Sequence, residues 1–250
     1  MAHAVSAPAS LETLGRLKQR LAACCRLLHL EGILTYSGHV SARVPGRDAF
    51  LIHPLLESRA EVSADDILVC DLDGRLLPES PHGELPLESF IHAEIYRARP
   101  EVQAVAHTHS ELAAAFTLAD ATLRPMKSHA VRWAGGIPTH PDPSHIRTAR
   151  QGRELAATLG QHNAALLRAH GGVLVAESVP ALLVDSVHFE ENARAQVQAL
   201  AIGPLRPLTE DELETLRSRS NREQHVAKLW RYYVGRGLRS GALENDEGLL

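Results

Sequence analysis

Apolar residues near the start of the chain recur at spacings of three and four. This periodicity predicts an amphipathic helix over residues 10–30, with Ser10 as its cap and Gly32 at its end. The positions that carry the pattern are Leu11, Leu14, Leu17, Leu21, Cys25 and Leu28. Three short segments with the composition of strands follow, and they read HVSARV, AFLIHP and DILVCDLDG. The first part of the chain is therefore predicted to be a helix followed by strands of an antiparallel sheet.

The pattern further along the chain alternates helices with strands. A helix over 87–98 runs into a strand over 102–109, and a second helix with Ser144 as its N-cap leads to the strands AALLRAH and GVLVA. A long helix with Pro180 in its first turn comes next, and a proline-marked loop over 202–220 leads to a final helix. The pattern predicts an α/β fold in which helices cover a mainly antiparallel sheet.

We expect a single domain with a disordered tail on each side. The chain has 250 residues, of which 44% are hydrophobic, and this is enough to bury a full core. The domain is predicted to span residues 10–238. Residues 1–9 and 239–250 are rich in small, polar and acidic residues, and we expect both segments to be disordered.

Charge and composition exclude several classes of partner. The formal net charge is -4, which gives no reason to expect nucleic acid or an anionic membrane. No run of 18 apolar residues is present, and the N-terminus lacks the basic and apolar blocks of a signal peptide. Cys24, Cys25 and Cys70 form neither a disulfide framework nor a C-x-x-C motif, so we expect core thiols. We therefore expect a cytoplasmic protein whose partner is a small-molecule substrate.

Three histidines stand where predicted strands end. His107 and His109 are two residues apart, and because a strand repeats every two residues, both imidazoles would leave the same face in a chelating geometry. His170 stands where another apolar strand stops, before Gly171 and Gly172. Three neutral nitrogen ligands with an open position are typical of a catalytic metal site. Polar residues on a half-exposed strand are the alternative that the pattern alone leaves open.

The helix before the first of these strands carries Glu88, His92 and Tyr96. Their spacing of four places them on one face of the helix. Glu88 falls in the predicted first turn, where a carboxylate either interacts with the helix dipole or serves as a catalyst. His92 by itself is more typical of a core or supporting histidine than of a metal ligand. The residues alone leave these alternatives open.

Five motifs, standing in order along the chain, resemble the class II aldolase and adducin-head family over about residues 10–205. They are GHVSAR (38–43), DLDG (71–74), LESFIHAEIYRARPEVQAVAHTHS (87–110), AGGIP (134–138) and RAHGGVLV (168–175). The resemblance implies a class II aldolase-like three-layer fold with a mainly antiparallel central sheet covered by helices. It also implies a homotetramer with active sites at the subunit interfaces.

The resemblance further implies one divalent metal per subunit, held by His107, His109 and His170, with Glu88 as acid and base beside it. We expect Zn²⁺, with Mn²⁺, Co²⁺ and Fe²⁺ as alternatives. In the family's aldolases the metal chelates substrate oxygens and stabilises the enediolate that remains when a carbon-carbon bond breaks.

Three positions depart from the pattern of the family's sugar-phosphate aldolases. Where those enzymes carry phosphate-binding residues, this chain has His39, the pair Leu55 and Leu56, and Leu87. Leucine offers no hydrogen-bond donor, so a phosphate dianion would lose its hydration without compensation. We expect the leucines to form the apolar wall for a flat ring instead.

In these features the chain resembles the family's enzymes that decarboxylate hydroxylated aromatic or pyridine dicarboxylic acids. We therefore predict a metal-dependent decarboxylase, a carbon-carbon lyase, of an acid such as a dihydroxyphthalate, with Glu88 or His39 as the proton donor. Cationic side chains are candidates to bind a second carboxylate, and aromatic side chains of the last helix are candidates to reach a neighbour's metal site. These further candidates are Arg59, Lys127, Arg132, Tyr232 and Tyr233.

Two other functions remain open at this point. One is a lyase or aldolase that cleaves a non-phosphorylated hydroxy-carbonyl compound, with a sugar phosphate as a less favoured substrate. The other is a metal-free scaffold of the adducin type that binds protein partners. The scaffold is the less favoured, because every ligand position of the metal site is filled.

Overall fold

The computed structural model describes residues 11–119 and 121–250. Its helices are α1 Leu11–Leu30, α2 Phe90–Ala98, α3 Glu111–Leu118, α4 Ala149–Leu159, α5 Val179–Ile202, α6 Glu210–Arg219 and α7 Arg222–Ser240. Its strands are β1 His39–Arg43, β2 Ala49–Ile52, β3 Leu68–Asp71, β4 Ala104–Thr108, β5 Thr139–His140, β6 Ala164–Leu167 and β7 Gly171–Ala176. A 3₁₀-helix, Ser128–Trp133, precedes β5. The predicted N-cap Ser10 and the predicted tail over 1–9 lie outside the described residues.

The described strands form one sheet in the order β3-β2-β1-β4-β7-β6-β5. Among them, β5 and β6 pair in parallel and every other pairing is antiparallel. The prediction of a mainly antiparallel sheet is therefore confirmed. Strand β4 lies between β1 and β7, and His107 of β4 stands directly opposite His39 of β1. Directly opposed residues share a face of the sheet, so this register brings the two imidazoles together.

Helices cover both faces of the sheet. On one face, Ala104 and Ala106 of β4 belong to a core that also contains residues of α1, α5 and α7. On the other face, Val105 packs in a second core with residues of α2 and α4. His107 is two residues from Val105 and therefore lies on the α2 and α4 face. The three-layer arrangement agrees with the predicted fold.

Two helices begin later than the sequence predicts. Helix α2 begins at Phe90 rather than at residue 87, because the amide of Ser89 donates to the carbonyl of Pro86 in a turn that holds Glu88 outside the helix. Helix α4 has Thr148 as its N-cap, since the hydroxyl of Thr148 accepts a hydrogen bond from the amide of Gln151. The predicted cap Ser144 instead lies in the preceding loop. That loop becomes part of the site described below.

The C-terminal part of the chain is more ordered than predicted. The supposed loop over 202–220 contains α6, which begins with a capping box between Thr209 and Glu212. Residues 239–250 do not form a disordered tail: Leu243 and Leu249 are buried, and the indole of Trp230 donates to the carbonyl of Leu249 at 2.8 Å. Burial of the two leucines and the bond from Trp230 together hold this short segment against the core.

Helix α3 and the 3₁₀-helix were not predicted.

The three cysteines are buried free thiols, as expected. Burial raises the pKa of Cys25 and of Cys70 to about 12, so both thiols stay protonated. Among the described residues, no helix is both long enough and apolar enough to cross a membrane.

Candidate metal centre

Four side chains from three separate segments meet at one end of β4. His107 is the penultimate residue of β4 and His109 follows the strand, while His170 lies in the turn between β6 and β7. Glu88 lies in the turn before α2. Each of the four offers a ligand atom, and these atoms all lie within 4.8 Å of one another. We refer to Glu88, His107, His109 and His170 as the His₃–Glu cluster.

The distances within the His₃–Glu cluster suit a single small cation. The Nε2 atom of His109 lies 2.9 Å from Nε2 of His107 and 3.3 Å from Nε2 of His170. The Oε2 atom of Glu88 lies 3.5 Å from Nε2 of both His107 and His170. Ligand atoms about 2.1 Å from a tetrahedral ion lie about 3.4 Å from one another. The nitrogen of His109 is therefore about as far from those of His107 and His170 as such an ion requires, and the carboxylate of Glu88 lies beside them.

A backbone contact prepares His107 to act as a ligand. Its Nδ1 lies 3.1 Å from the carbonyl oxygen of Gly172. A carbonyl only accepts, so Nδ1 carries the proton and the lone pair of Nε2 faces the cluster. Burial, followed by the charges of His107 and His170, lowers the pKa of His109 to about 4, so this imidazole is neutral at neutral pH. Neutral imidazole is the form that binds a metal ion.

Glu88 is held in the cluster by the loop that precedes α4. Its Oε1 accepts a hydrogen bond of 2.8 Å from the backbone amide of Ile146. Burial by itself would raise the pKa of this carboxyl group, but the close contacts with His107 and His170 and the hydrogen bond from the amide of Ile146 lower it well below its usual range. Glu88 is therefore ionised at neutral pH. Because Glu88 precedes α2 and makes no bond to the helix amides, the helix-cap alternative does not apply.

A buried hydrogen-bonded chain supports the cluster from within the sheet. Nδ1 of His39 lies 2.6 Å from Nε2 of His92, and Nδ1 of His92 lies 2.6 Å from the hydroxyl of Ser41. The hydroxyl of Ser41 also lies 2.8 Å from that of Tyr96. The rings of His39 and His107 are 5.0 Å apart, so the chain ends beside a member of the cluster. His92 has the supporting position that its sequence context favours.

The environment of His39 bears on its predicted role as a proton donor. Burial is the main cause that lowers the pKa of His39 well below its usual range, and the charges of His92 and His107 add to it. His39 is therefore a neutral imidazole at neutral pH. A neutral imidazole donates a proton only weakly, so His39 suits a hydrogen-bonding role better than that of a general acid.

His145 also belongs to this region, although the sequence did not single it out. Its Nδ1 lies 3.5 Å from Oε2 of Glu88, and its ring is 5.0 Å from that of His170. The side chain is 59% exposed, so it connects the buried carboxylate with solvent. No periodic signal marks His145, because the loop that carries it is placed by tertiary contacts such as the bond from Ile146 to Glu88.

The predicted cationic candidates are engaged elsewhere. Arg59 donates to the carbonyls of Gly38, Leu55 and Glu57 and so braces the loop after β2. Arg132 is paired with Asp185 and Glu177, and it contacts the carbonyl of Val175, away from the Gly172 end of β7. Lys127 is paired with Glu191. The structure therefore does not bring Arg132 or Lys127 to the His₃–Glu cluster of the same chain.

The predicted apolar and aromatic candidates occupy two different places. Leu56 and Leu87 are 85% and 56% exposed, and Leu55 is half-buried. The amide of Leu55 donates to the carbonyl of Glu84, which ties the two leucine-bearing segments together next to Glu88. Tyr232 is exposed and Tyr233 is buried, and both lie on α7 in the opposite helical layer.

Close backbone packing at Gly171 should make the site sensitive to one methyl group. A Cβ atom at Gly171 would lie 2.1 Å from the carbonyl oxygen of Thr108 and 3.0 Å from Cα of His109. We expect Gly171→Ala to destabilise the protein by about 1–3 kcal/mol and to weaken metal binding, since β4 and β7 must separate. Thermal unfolding measures the first effect. Gly15→Ala is the control, because no atom lies within 4 Å of its added Cβ; equal melting temperatures of the two variants would contradict the prediction.

Comparison with known proteins places this arrangement in a family. The model of the Class II Aldolase and Adducin N-terminal domain matches residues 19–197. The chain belongs to the class II aldolase and adducin family. It is 29% identical to a 3,4-dihydroxyphthalate decarboxylase of Arthrobacter keyseri over 215 aligned residues. The alignment covers 80% of this chain and 85% of the relative. The resemblance that the five motifs carry is therefore confirmed.

Solved structures of this family share the whole fold. An aldolase II superfamily protein from Pseudomonas syringae superposes with a TM-score of 0.80 at 26% identity, covering 94% of this chain and 96% of the other. An L-fuculose 1-phosphate aldolase from Glaciozyma antarctica PI12 gives a TM-score of 0.79 at 23% identity, covering 95% and 96%. At that identity the second likeness concerns the fold alone. Membership of the class II aldolase family supports a lyase-type enzyme that acts on a small molecule.

Proposed function

We propose that this protein is a metal-dependent decarboxylase of a hydroxylated aromatic carboxylic acid, such as a dihydroxyphthalate. The observation that carries the proposal is the combination of a complete His₃–Glu cluster with exposed leucines in the adjoining segments. The similarity to a 3,4-dihydroxyphthalate decarboxylase supports the same substrate class.

His107, His109 and His170 are proposed to hold one divalent ion. Their nitrogen donors, together with a nearby carboxylate, favour Zn²⁺, while Mn²⁺, Co²⁺ and Fe²⁺ are alternatives. An ion held there would supply Lewis acidity that stabilises negative charge developing on the substrate. The three imidazoles leave room for these substrate oxygens, since a site with three protein ligands keeps an open position.

Glu88 is proposed to move the proton that the reaction requires. As an ionised carboxylate at the edge of the cluster, it takes the proton of the substrate hydroxyl and holds it. The bond between the ring carbon and the carboxylate then breaks, CO₂ leaves, and the ring carbon receives that proton from Glu88. A solvent proton, delivered past the exposed His145, restores the hydroxyl. The net reaction consumes one proton and releases one CO₂.

The leucines are proposed to select a flat apolar ring. Leu87 directly precedes Glu88, and Leu56 lies in the segment that the bond from Leu55 to Glu84 joins to it. Both side chains are exposed, and a ring that covers them gains about 25 cal/mol per Å² of apolar area removed from water. A phosphate group in the same place would lose hydrogen bonds that it makes in water. Both effects favour the aromatic acid over a sugar phosphate.

A substrate panel tests this choice. We expect release of CO₂ from at least one dihydroxyphthalate or hydroxybenzoate, with no aldehyde from L-fuculose 1-phosphate. Leu56→Ser and Leu87→Ser should raise KM for the aromatic acid about tenfold each, as expected for the loss of 1–2 kcal/mol of apolar contact. Retro-aldol cleavage of a sugar phosphate without CO₂ from any aromatic acid would overturn the assignment.

A second candidate function is an aldolase or lyase that acts on a non-phosphorylated hydroxy-carbonyl compound. The same His₃–Glu cluster would polarise a carbonyl, and the fold is shared with a protein named as an aldolase. Aldehyde release from such a compound in the panel would select this function. A metal-free scaffold is not favoured, because four potential ligands are assembled and one imidazole is already oriented by Gly172.

We also propose that the protein is a homotetramer in which α7 approaches a neighbour's site. The supporting observation is the exposed side chain of Tyr232, whose ring makes an edge-to-face contact with that of Tyr233 at a centroid distance of 5.1 Å. Light scattering is expected to give about four times the mass of one chain. Tyr232→Ala should lower turnover while leaving metal binding unchanged. A stable monomer with full activity would contradict the shared-site arrangement.

A further inference from the structure

A second group of potential metal ligands lies on the opposite helical layer from the His₃–Glu cluster. His188 and Glu191 are three residues apart on α5, so both side chains lie on one face of that helix. His129 reaches the same place from the 3₁₀-helix. Their ligand atoms all lie within 4.8 Å of one another. We refer to His129, His188 and Glu191 as the His₂–Glu group.

One atom of this group is buried without a partner. Nε2 of His129 makes no hydrogen bond, although it lies 3.7 Å from Oε2 of Glu191. A buried polar atom without a partner is unfavourable, and a bound cation would supply the missing partner. The carboxylate of Glu191 is slightly too far from Nε2 of His129 for a hydrogen bond, so a cation between the two groups would satisfy both.

The surroundings leave room for an ion. The group adjoins a cavity of about 1230 Å³, which is lined by His129, His188 and His225 among others. The rings of His129 and His188 are stacked 3.9 Å apart and nearly parallel, so one ring has to turn about its Cβ–Cγ bond before both nitrogens can point at one ion. Both rings are only partly buried, and the cavity provides the space for this rotation.

We propose that the His₂–Glu group binds a second divalent transition-metal ion, separate from that of the His₃–Glu cluster. Two imidazoles and one carboxylate form a ligand set that Zn²⁺ accepts while keeping a position for water or a further ligand. The ammonium of Lys127, 3.0 Å from Oε2 of Glu191, occupies the place of a competing cation. Binding of the metal ion therefore displaces Lys127, whose partly exposed side chain can turn into solvent.

Metal titration of the purified chain tests the proposal. The protein is stripped with a chelator and titrated with Zn²⁺ under calorimetry, and bound zinc is then counted by elemental analysis. Wild type is expected to bind two equivalents. His188→Ala and Glu191→Gln should each keep only the zinc of the His₃–Glu cluster. His109→Ala should keep only the zinc of the His₂–Glu group. Lys127→Met should bind the second equivalent about tenfold more tightly, because the competing ammonium is gone.

His225→Ala is the matched control, because His225 lines the same cavity but lies outside the group. It should keep both equivalents. The side chain of Glu191 is 44% exposed, so Glu191→Gln tests the site even where His188→Ala fails to fold. Saturation of the wild type at one equivalent, or retention of two by Glu191→Gln, overturns the second site without affecting the proposed decarboxylase. Loss of the first equivalent in His109→Ala tests the His₃–Glu cluster independently.

Discussion

His109→Ala should abolish turnover and remove one equivalent of bound metal while leaving the fold intact. The imidazole of His109 supplies the nitrogen that lies 2.9 Å and 3.3 Å from those of His107 and His170, so its loss leaves too few ligands to hold an ion. His107→Ala and His170→Ala should have the same effect on turnover and metal. His109 follows the strand and is only half-buried, so its truncation disturbs the core least.

Elemental analysis and a turnover assay on the same preparations check this prediction. His82→Ala is the matched control, since His82 is exposed and lies outside both groups of potential ligands. It should keep wild-type metal content and activity. Undiminished metal content in all three cluster variants would show that these histidines are not the ligands.

Glu88→Gln should lower kcat by about 10²-fold or more, as expected for the loss of a general acid and base. The amide oxygen of glutamine can still accept the hydrogen bond from Ile146, so the loop before α4 should keep its position. An amide cannot hold the transferred proton, however. We therefore expect normal thermal unfolding, nearly normal substrate binding, and a selective loss of turnover.

Steady-state kinetics separate this effect from a structural one. Glu84→Gln is the control, because Glu84 is an exposed carboxylate four residues earlier in the same segment. Its kcat should equal that of the wild type. If Glu88→Gln turned over at the wild-type rate, the carboxylate would have only a structural role.

The positions of the three histidines could be predicted from the sequence because the signal is local. Alternation along β4 places His107 and His109 at a strand end, and the glycine pair after His170 marks a second strand boundary. Hydrophobic periodicity also predicted α1 and α5, but it did not predict where α2 and α4 begin. The family motifs predicted the three-layer fold and the position of Glu88 beside the three histidines. Periodicity alone could predict neither.

The rest of the site depends on contacts between distant segments. The bond from Ile146 to Glu88 joins residues 58 positions apart, and no local pattern indicates that this loop folds back to bring His145 to the cluster. Arg132 was a reasonable candidate by charge alone. Its partner Asp185 lies 53 positions away on α5, so its structural role could be recognised only in the folded chain.

The missed elements have two different explanations. Thr209 and Glu212 stand at capping-box spacing, a signal that was present but outweighed by the prolines before it. Residues 239–250 have a polar composition, and two buried leucines and the bond from Trp230 anchor them to the core. Composition therefore predicts disorder where a few well-placed contacts produce order.

The most direct test of the proposed function measures CO₂ released from a labelled substrate before metal removal, after metal removal and after metal is restored. A dihydroxyphthalate labelled with ¹³C in its carboxyl groups is incubated with metal-loaded, chelator-stripped and reloaded protein, and labelled CO₂ is measured by mass spectrometry. We expect CO₂ from the loaded protein, a loss of about 10²-fold or more on stripping, and recovery on reloading. Labelled CO₂ at an unchanged rate from the stripped protein, or none from any preparation, would contradict a metal-dependent decarboxylase.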